Sequence, residues 1–299
     1  MAFSLTALIA APGPVAAAGL FSHILPQPHA APAPNTANTS ALAAQVNQAL
    51  DERRYVDAGV LLDQAVTQDL RSPELTTLSG ELLLARGRDA DALAVFRAVA
   101  VEPGQKARAL EGEGLALSML GRSDEAFVDL KQATGLDATL WRAWNGLGAE
   151  YDRRHDWPAA QAAYANAMSA PGANAAIVLN NRGYSRLLQH RTDEAAADFV
   201  AALEKDPSLT SARTNLRLTL AIEGHYSRAT MTGVGDDRAA VLNNVGVGAA
   251  MRGDYVQADK LLNEAIAAKG QFYSRASDNL QMSHELSGQG DKSAADAAP

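Results

Sequence analysis

The sequence predicts an all-α fold, a solenoid of helical hairpins stacked one on the next. Three observations carry this. From Thr39 onward the chain repeats itself at a period of about 34 residues, with units opening at Thr39, Pro73, Ala107, Trp141, Ala176, Thr210 and Ala239. Gly or Ala recurs at fixed places inside the units. Aromatic residues are 5% of the chain while Ala crowds the helical segments, which suits thin helices packed closely. In such an array each unit contacts its neighbours, so one elongated domain is expected and a catalytic site is not.

Taken in order, residues 1–18 read as a possible signal peptide: an apolar run from Phe3 to Ala11, then Ala16, Ala17 and Ala18 as small cleavage-site residues, without a basic start. Pro12 and Pro14 argue against a membrane-spanning helix there. Residues 19–38, with Pro26, Pro28, Pro32 and Pro34, read as an extended linker. The hairpins follow at 39–72, 73–106, 107–140, 141–175, 176–209, 210–238 and 239–272.

Within a unit the eighth place holds Gly80, Gly114, Gly148, Gly183 or Gly246 and the twentieth Ala126, Ala160, Ala195 or Ala258, letting the two helices of a hairpin approach. Gly87, Gly121, Gly224 and Gly253 at the fifteenth place suit a left-handed residue ending the first helix. Asp156, Ser123, Thr192 and Asp254 are the expected N-caps of second helices. Unit 210–238 is short, and Thr230 to Asp237 reads as a loop, so the superhelix is expected to change direction or loosen before the seventh unit. Arg213 and Arg217 stand at its large fourth and small eighth places, which predicts altered packing there. Residues 273–287 are expected to form a capping helix, with Phe272, Ala276, Leu280 and Met282 or Ser283 on or near one face, and 288–299 a polar, disordered tail.

In the fourth unit Trp144, Leu147, Gly148, Tyr151, Ala160, Tyr164 and Ala167 fall at the fourth, seventh, eighth, eleventh, twentieth, twenty-fourth and twenty-seventh places. This skeleton resembles the tetratricopeptide repeat (TPR). The resemblance implies a right-handed α-solenoid of about seven hairpins, with Trp144, Tyr151 and Tyr164 turned into the hairpin core.

Composition excludes several functions. With 26 basic against 34 acidic residues, a net charge of −8 and no basic run, a nucleic-acid footprint is absent. There is no cysteine, hence no disulfide, thiolate metal site or cysteine nucleophile. His155, His190 and His225 recur beside the turns of successive units, too far apart to share a metal, and read as solvated turn residues. Asp236 and Asp237 lie in the presumed loop without partners at ligand spacing. No phosphate loop, nucleophile elbow or zinc-protease motif occurs, and the repeats leave no room for a catalytic domain, so neither enzyme activity nor a cofactor is expected.

In TPR arrays, the resemblance implies, the fifth, sixth and ninth places of first helices line the concave face. Asn145, Asn180, Asn181, Asn215, Asn243 and Asn244 occupy fifth or sixth places here, with Arg142 and Tyr184 at second and ninth places beside them. An amide bonds an extended peptide backbone without reading its side chains, so these residues form a candidate peptide groove. The alternative is that they bond water or the neighbouring repeat. On the groove reading, alanine at Asn180, Asn215 and Asn244 leaves melting nearly unchanged.

Across about 120 residues the phrases WRAWNGLG, VLNNRGY and ARTNLRLTLAIEG occur in an order that resembles the TadD family of Flp pilus assembly proteins of tight-adherence systems. That implies a bacterial envelope protein, periplasmic and pilotin-like, whose partners are a secretin or other pilus-assembly components. The family's lipid anchor needs a cysteine after the leader, and none is present. The competing reading is a cytosolic TPR chaperone or adaptor for an exported protein. The oligomeric state is left open by the sequence.

Overall fold

A computed structural model describes residues 36–102, 104–231, 237–269 and 273–296. The expected leader and nearly all of the linker lie outside them, as do residues 232–236 of the expected loop and Phe272. The described elements are all helices: α1 (Thr36–Asp51), α2 (Tyr55–Thr67), α3 (Pro73–Ala85), α4 (Asp89–Val99), α5 (Lys106–Met119), α6 (Ser123–Leu136), α7 (Trp141–Arg153), α8 (Trp157–Ser169), α9 (Ala175–Leu188), α10 (Thr192–Lys205), α11 (Thr210–Ile222), α12 (Tyr226–Met231), α13 (Arg238–Arg252), α14 (Tyr255–Lys269) and α15 (Ser274–Asp296). Consecutive pairs from α1–α2 to α13–α14 are seven antiparallel hairpins, one per sequence unit.

Five of the hairpins close in the same way. Over the eighth-place glycines Gly80, Gly114, Gly148, Gly183 and Gly246 lie Phe96, Leu130, Tyr164, Phe199 and Leu262, the twenty-fourth residues of their hairpins; a Cβ there would come within 2.5–2.8 Å of them. Ala126, Ala160, Ala195 and Ala258 are fully buried beside them. Gly112 faces the other side of the Phe96 ring, so one aromatic ring is held between two glycine surfaces of successive first helices. Tyr164 is buried and its hydroxyl donates to Asp152 at 2.7 Å. Trp144 and Tyr151 are half-buried, Tyr151 edge-on to Phe127 at 5.2 Å and Trp144 donating its indole N–H to the Ala138 carbonyl at 3.0 Å.

The fifteenth place is left-handed in all seven hairpins. Gly87, Gly121, Gly224 and Gly253 take φ of 69°, 75°, 87° and 87°, and Arg53, His155 and His190 take 57°, 56° and 59°. The N-cap falls one residue later. Asp156 and Asp254 cap there, accepting from the Ala159 and Gln257 amides at 3.2 and 3.1 Å. Ser123 and Thr192 do not cap, contrary to expectation, because they are already the first helical residues; Arg122 and Arg191 precede them and pair with Glu125 and Glu194 one turn on.

The chain divides into two compact units, Met1–Ala173 and Asn174–Pro299. The first contains α1–α8 and the second α9–α15. At the seventh and eleventh places the fourth, sixth and seventh hairpins carry Leu147 and Tyr151, Leu216 and Leu220, Val245 and Ala249, all in apolar clusters. The fifth hairpin, which opens the second unit, carries Arg182 and Arg186 there. Both turn to the buried Asp198 of their own hairpin at 2.7 Å.

Of the expected change of direction or loosening before the seventh hairpin, the loosening does not occur. Helix α12 is only six residues long and includes Thr230 and Met231, which were expected to be loop. Because it is short, α13 packs directly on α11: a Cβ at Gly248 would collide with the Ala221 methyl, and residues from Leu216 to Ala265 share one core. Arg217, in place of the usual glycine, is 3% exposed. The last helix runs to Asp296, beyond the expected end at 287, so 288–296 is helix and not tail. Ala276 and Ser283 are its buried residues, Leu280 is half-buried and Met282 exposed. Ala276, Asn279 and Ser283 match the third, sixth and tenth places of a first helix, so α15 is by register the first half of an eighth repeat.

Candidate functional site

Within each unit, polar side chains at some of the second, fifth, sixth and ninth places of the first helices meet from one repeat to the next, among apolar residues such as Leu78, Leu115, Ile177, Leu218 and Val247 at the same places. In the first unit this row of contacts is ionic. Arg108 bonds Glu81 at 2.5 Å and the Asn47 amide oxygen at 2.7 Å, and Arg142 pairs with Glu81 at 3.1 Å and Glu111 at 3.4 Å. Glu111 also accepts from the Ala143 amide at 2.9 Å, so a carboxylate of the third hairpin caps the first helix of the fourth.

Burial sets the electrostatics of this network. It pushes Glu81 upward, but Arg142 and Arg108 outweigh it and hold the carboxyl below its ordinary value. For Glu111, burial dominates over Arg142 and raises it. The Glu81 carboxylate raises Arg142 further above its already high value. Arg142 is thus a cation already neutralised by two acids of the preceding hairpins, with about a third of its side chain exposed. Asn145 is half-buried on the same helix.

In the second unit the row consists of amides. Asn215 donates to the Asn180 oxygen at 3.0 Å, and Asn180 donates to Asn181 at 3.1 Å. The pattern recurs one step along: Asn279 of α15 donates to Asn243 at 2.8 Å, and Asn243 to Asn244 at 3.2 Å. Asn180, Asn215 and Asn243 are buried; Asn181, Asn244 and Tyr184 are half-buried. The six asparagines are therefore of two kinds, and the expectation that Asn180 and Asn215 stand ready for a ligand is corrected: their amides join neighbouring repeats. Tyr184 packs partly against the core of its unit.

A third buried acid staples the third and fourth hairpins. Glu150, fully buried, accepts from Ser118 at 2.7 Å, from Ser123 and from Arg153, and pairs with Arg154 at 3.4 Å. His155, His190 and His225 are exposed in their turns, as expected. Among the described residues no group of His, Cys, Asp or Glu is placed to hold a metal ion, and no helix is long and apolar enough to cross a membrane.

Sequence reasoning found the amide row but missed the ionic one. Its signal is Arg at second places (Arg108, Arg142) facing Asn47 and Glu81 at ninth and Glu111 at fifth places. Asn279 was missed because α15 was read as a cap and not in repeat register.

No family model and no curated protein matches the chain. Solved structures do. The chain in the APC/C hetero-tetramer Cut9-Hcn1 matches with a TM-score of 0.63 at 15% identity over 83% of this chain and 50% of that one. A tetratricopeptide repeat protein of Parabacteroides merdae matches at 0.51 and 14% identity, over 83% and 99% of the two chains. The chain has the tetratricopeptide-repeat fold. PilF of Pseudomonas aeruginosa shares it, with a TM-score of 0.52 at 16% identity over 70% and 95%. The present TPR chain spans half the length of the Cut9-Hcn1 chain it matches.

Proposed function

We propose that this TPR chain is a non-enzymatic scaffold that holds an extended protein segment along the inner rows of its first helices. One observation carries the reading: half-exposed hydrogen-bonding side chains stand at these places in three hairpins, Arg142 and Asn145 in the fourth, Asn181 and Tyr184 in the fifth and Asn244 in the seventh. Such a row suits a ligand recognised through its backbone. The groove assigned to the asparagines thus keeps its half-exposed members, with Asn180, Asn215 and Asn243 as supports behind them.

The cellular role we infer is Flp/tight-adherence pilus assembly, with a pilotin-like action on the secretin in the periplasm. Its support is the ordered triplet of phrases resembling TadD, and the TPR fold shared with PilF is compatible with it. The test is crosslinking capture from the source bacterium with a C-terminal tag, read by mass spectrometry with N-terminal sequencing. Recovery of a secretin or other tight-adherence components with a cleaved leader supports the proposal. Cytosolic partners on a full-length chain replace it with an adaptor for an exported protein.

A further inference from the structure

The first helices of the second unit, α15 included, share a pattern that those of the first unit lack. Their sixth place is always asparagine: Asn181, Asn215, Asn244 and Asn279. Three residues on, the ninth place is Tyr184, Leu218, Val247 or Met282. Four further, the thirteenth is Leu188, Ile222, Met251 or Leu286. Spacings of three and seven residues keep these places on one helix face, so every first helix lays an amide beside two apolar side chains. On α11 the amide and Leu218 are buried. On its neighbours α9 and α13 the side chains at all three places are half-buried, and so is Ile222.

The same face carries no charge. At the second, fifth, sixth, ninth, twelfth and thirteenth places α9, α11 and α13 have no Asp, Glu, Lys or Arg, where the first unit has Glu81, Arg108, Glu111 and Arg142 among others. The arginines that these helices do carry are directed elsewhere: Arg182 and Arg186 meet Asp198 of their own hairpin, and Arg213 donates to the Pro207 carbonyl at 3.1 Å. Charge returns only on α15, with Arg275, Asp278 and Glu285 at second, fifth and twelfth places.

We propose that the second unit holds an uncharged, aliphatic stretch of about seven residues from a partner protein, extended across α9, α11 and α13. This rests on the scaffold reading above and names the chemistry of its ligand. Neighbouring helices pack about 8–10 Å apart, and a polyproline-type chain advances about 9 Å in three residues, so one residue in three faces each helix and three helices take about seven. The amide row bonds the backbone and the two apolar rows receive aliphatic side chains. A charge set down on those rows would lose its water without gaining a partner, so charged residues of the segment fall beyond α13.

Random peptides displayed on phage test this by selection on the full chain. The selected peptides are then compared on the parent and on the variant Leu188→Ser, Met251→Ser, after circular dichroism has shown equal melting. The expected peptides share a run of about seven residues without Asp, Glu, Lys or Arg, with aliphatic side chains about three apart, and bind the variant at least tenfold more weakly. Peptides that carry charge in that run, or that bind parent and variant alike, overturn this inference and leave the scaffold reading standing. Failure to enrich any peptide overturns both. A parent that sediments as a dimer beside a monomeric variant assigns the face to a second copy and overturns the inference as well. Salt gives a second reading that needs no variant: affinity for a selected peptide, by fluorescence anisotropy, changes less than about twofold between about 0.05 and 0.5 M salt. A tenfold loss marks a segment read by charge and contradicts the proposal.

Discussion

At the scale of single residues, the left-handed turn and the glycine under the twenty-fourth side chain carry the repeat. His190 sits at φ 59° where other hairpins use glycine, a conformation that costs an L-residue about 1–2 kcal/mol. Part of that is returned by the greater freedom of an unfolded glycine, so His190→Gly is expected to stabilise by about 0.5–1 kcal/mol, read as a higher urea midpoint at unchanged slope. Gly148→Ala should do the opposite. Its Cβ would come within 2.7 Å of the Tyr164 ring, and that ring cannot yield without loosening the buried bond to Asp152. A loss of about 2–3 kcal/mol is expected in the same measurement.

Between elements, buried polar groups join one hairpin to the next. Asn215→Ala leaves the buried Asn180 oxygen without its donor and should cost about 1–3 kcal/mol. A double-mutant cycle with Asn180→Ala is expected to give a coupling of at least about 0.5 kcal/mol; additive effects would deny that the amides meet. A carboxyl gives a pH signature. Burial, aided by Asp129 and opposed by Arg97, raises Glu113 above its ordinary value. A raised folded value means the native state holds the proton more tightly, so this group's contribution to stability falls as pH climbs from the unfolded carboxyl range through the folded one. Glu113→Gln therefore melts higher than the parent at pH 7, by about 2 °C, and the gain shrinks toward pH 4. An equal gain at both values would point to another cause.

Over the whole molecule, the repeat was legible because spacing alone forces it: Gly148 and Tyr164 sixteen residues apart meet wherever two helices fold back at the fifteenth place. The ion pairs of the fifth hairpin were less visible. Arg182 and Arg186 hold places that are apolar in the fourth, sixth and seventh hairpins, and an arginine in a helix reads as solvated until its partner Asp198 is seen. The closeness of α11 and α13 was hidden for a similar reason, since a short second helix looks like a weak joint until Gly248 is found against Ala221. In the candidate site the asparagines could be counted but not oriented. Whether an amide faces a ligand or the next repeat depends on which of two adjacent places points inward, and period alone does not decide it.

The central claim is that the half-exposed members of the inner row hold a protein partner while the buried ones hold the repeats together. The most direct measurement compares crosslinked capture by the parent chain and by the variant Asn181→Ala, Tyr184→Ala, Asn244→Ala, after circular dichroism has established equal helicity. At least a tenfold loss of the captured partner by the folded variant is the predicted result. Undiminished capture of the same partner would contradict the claim and move the binding surface elsewhere on the repeats.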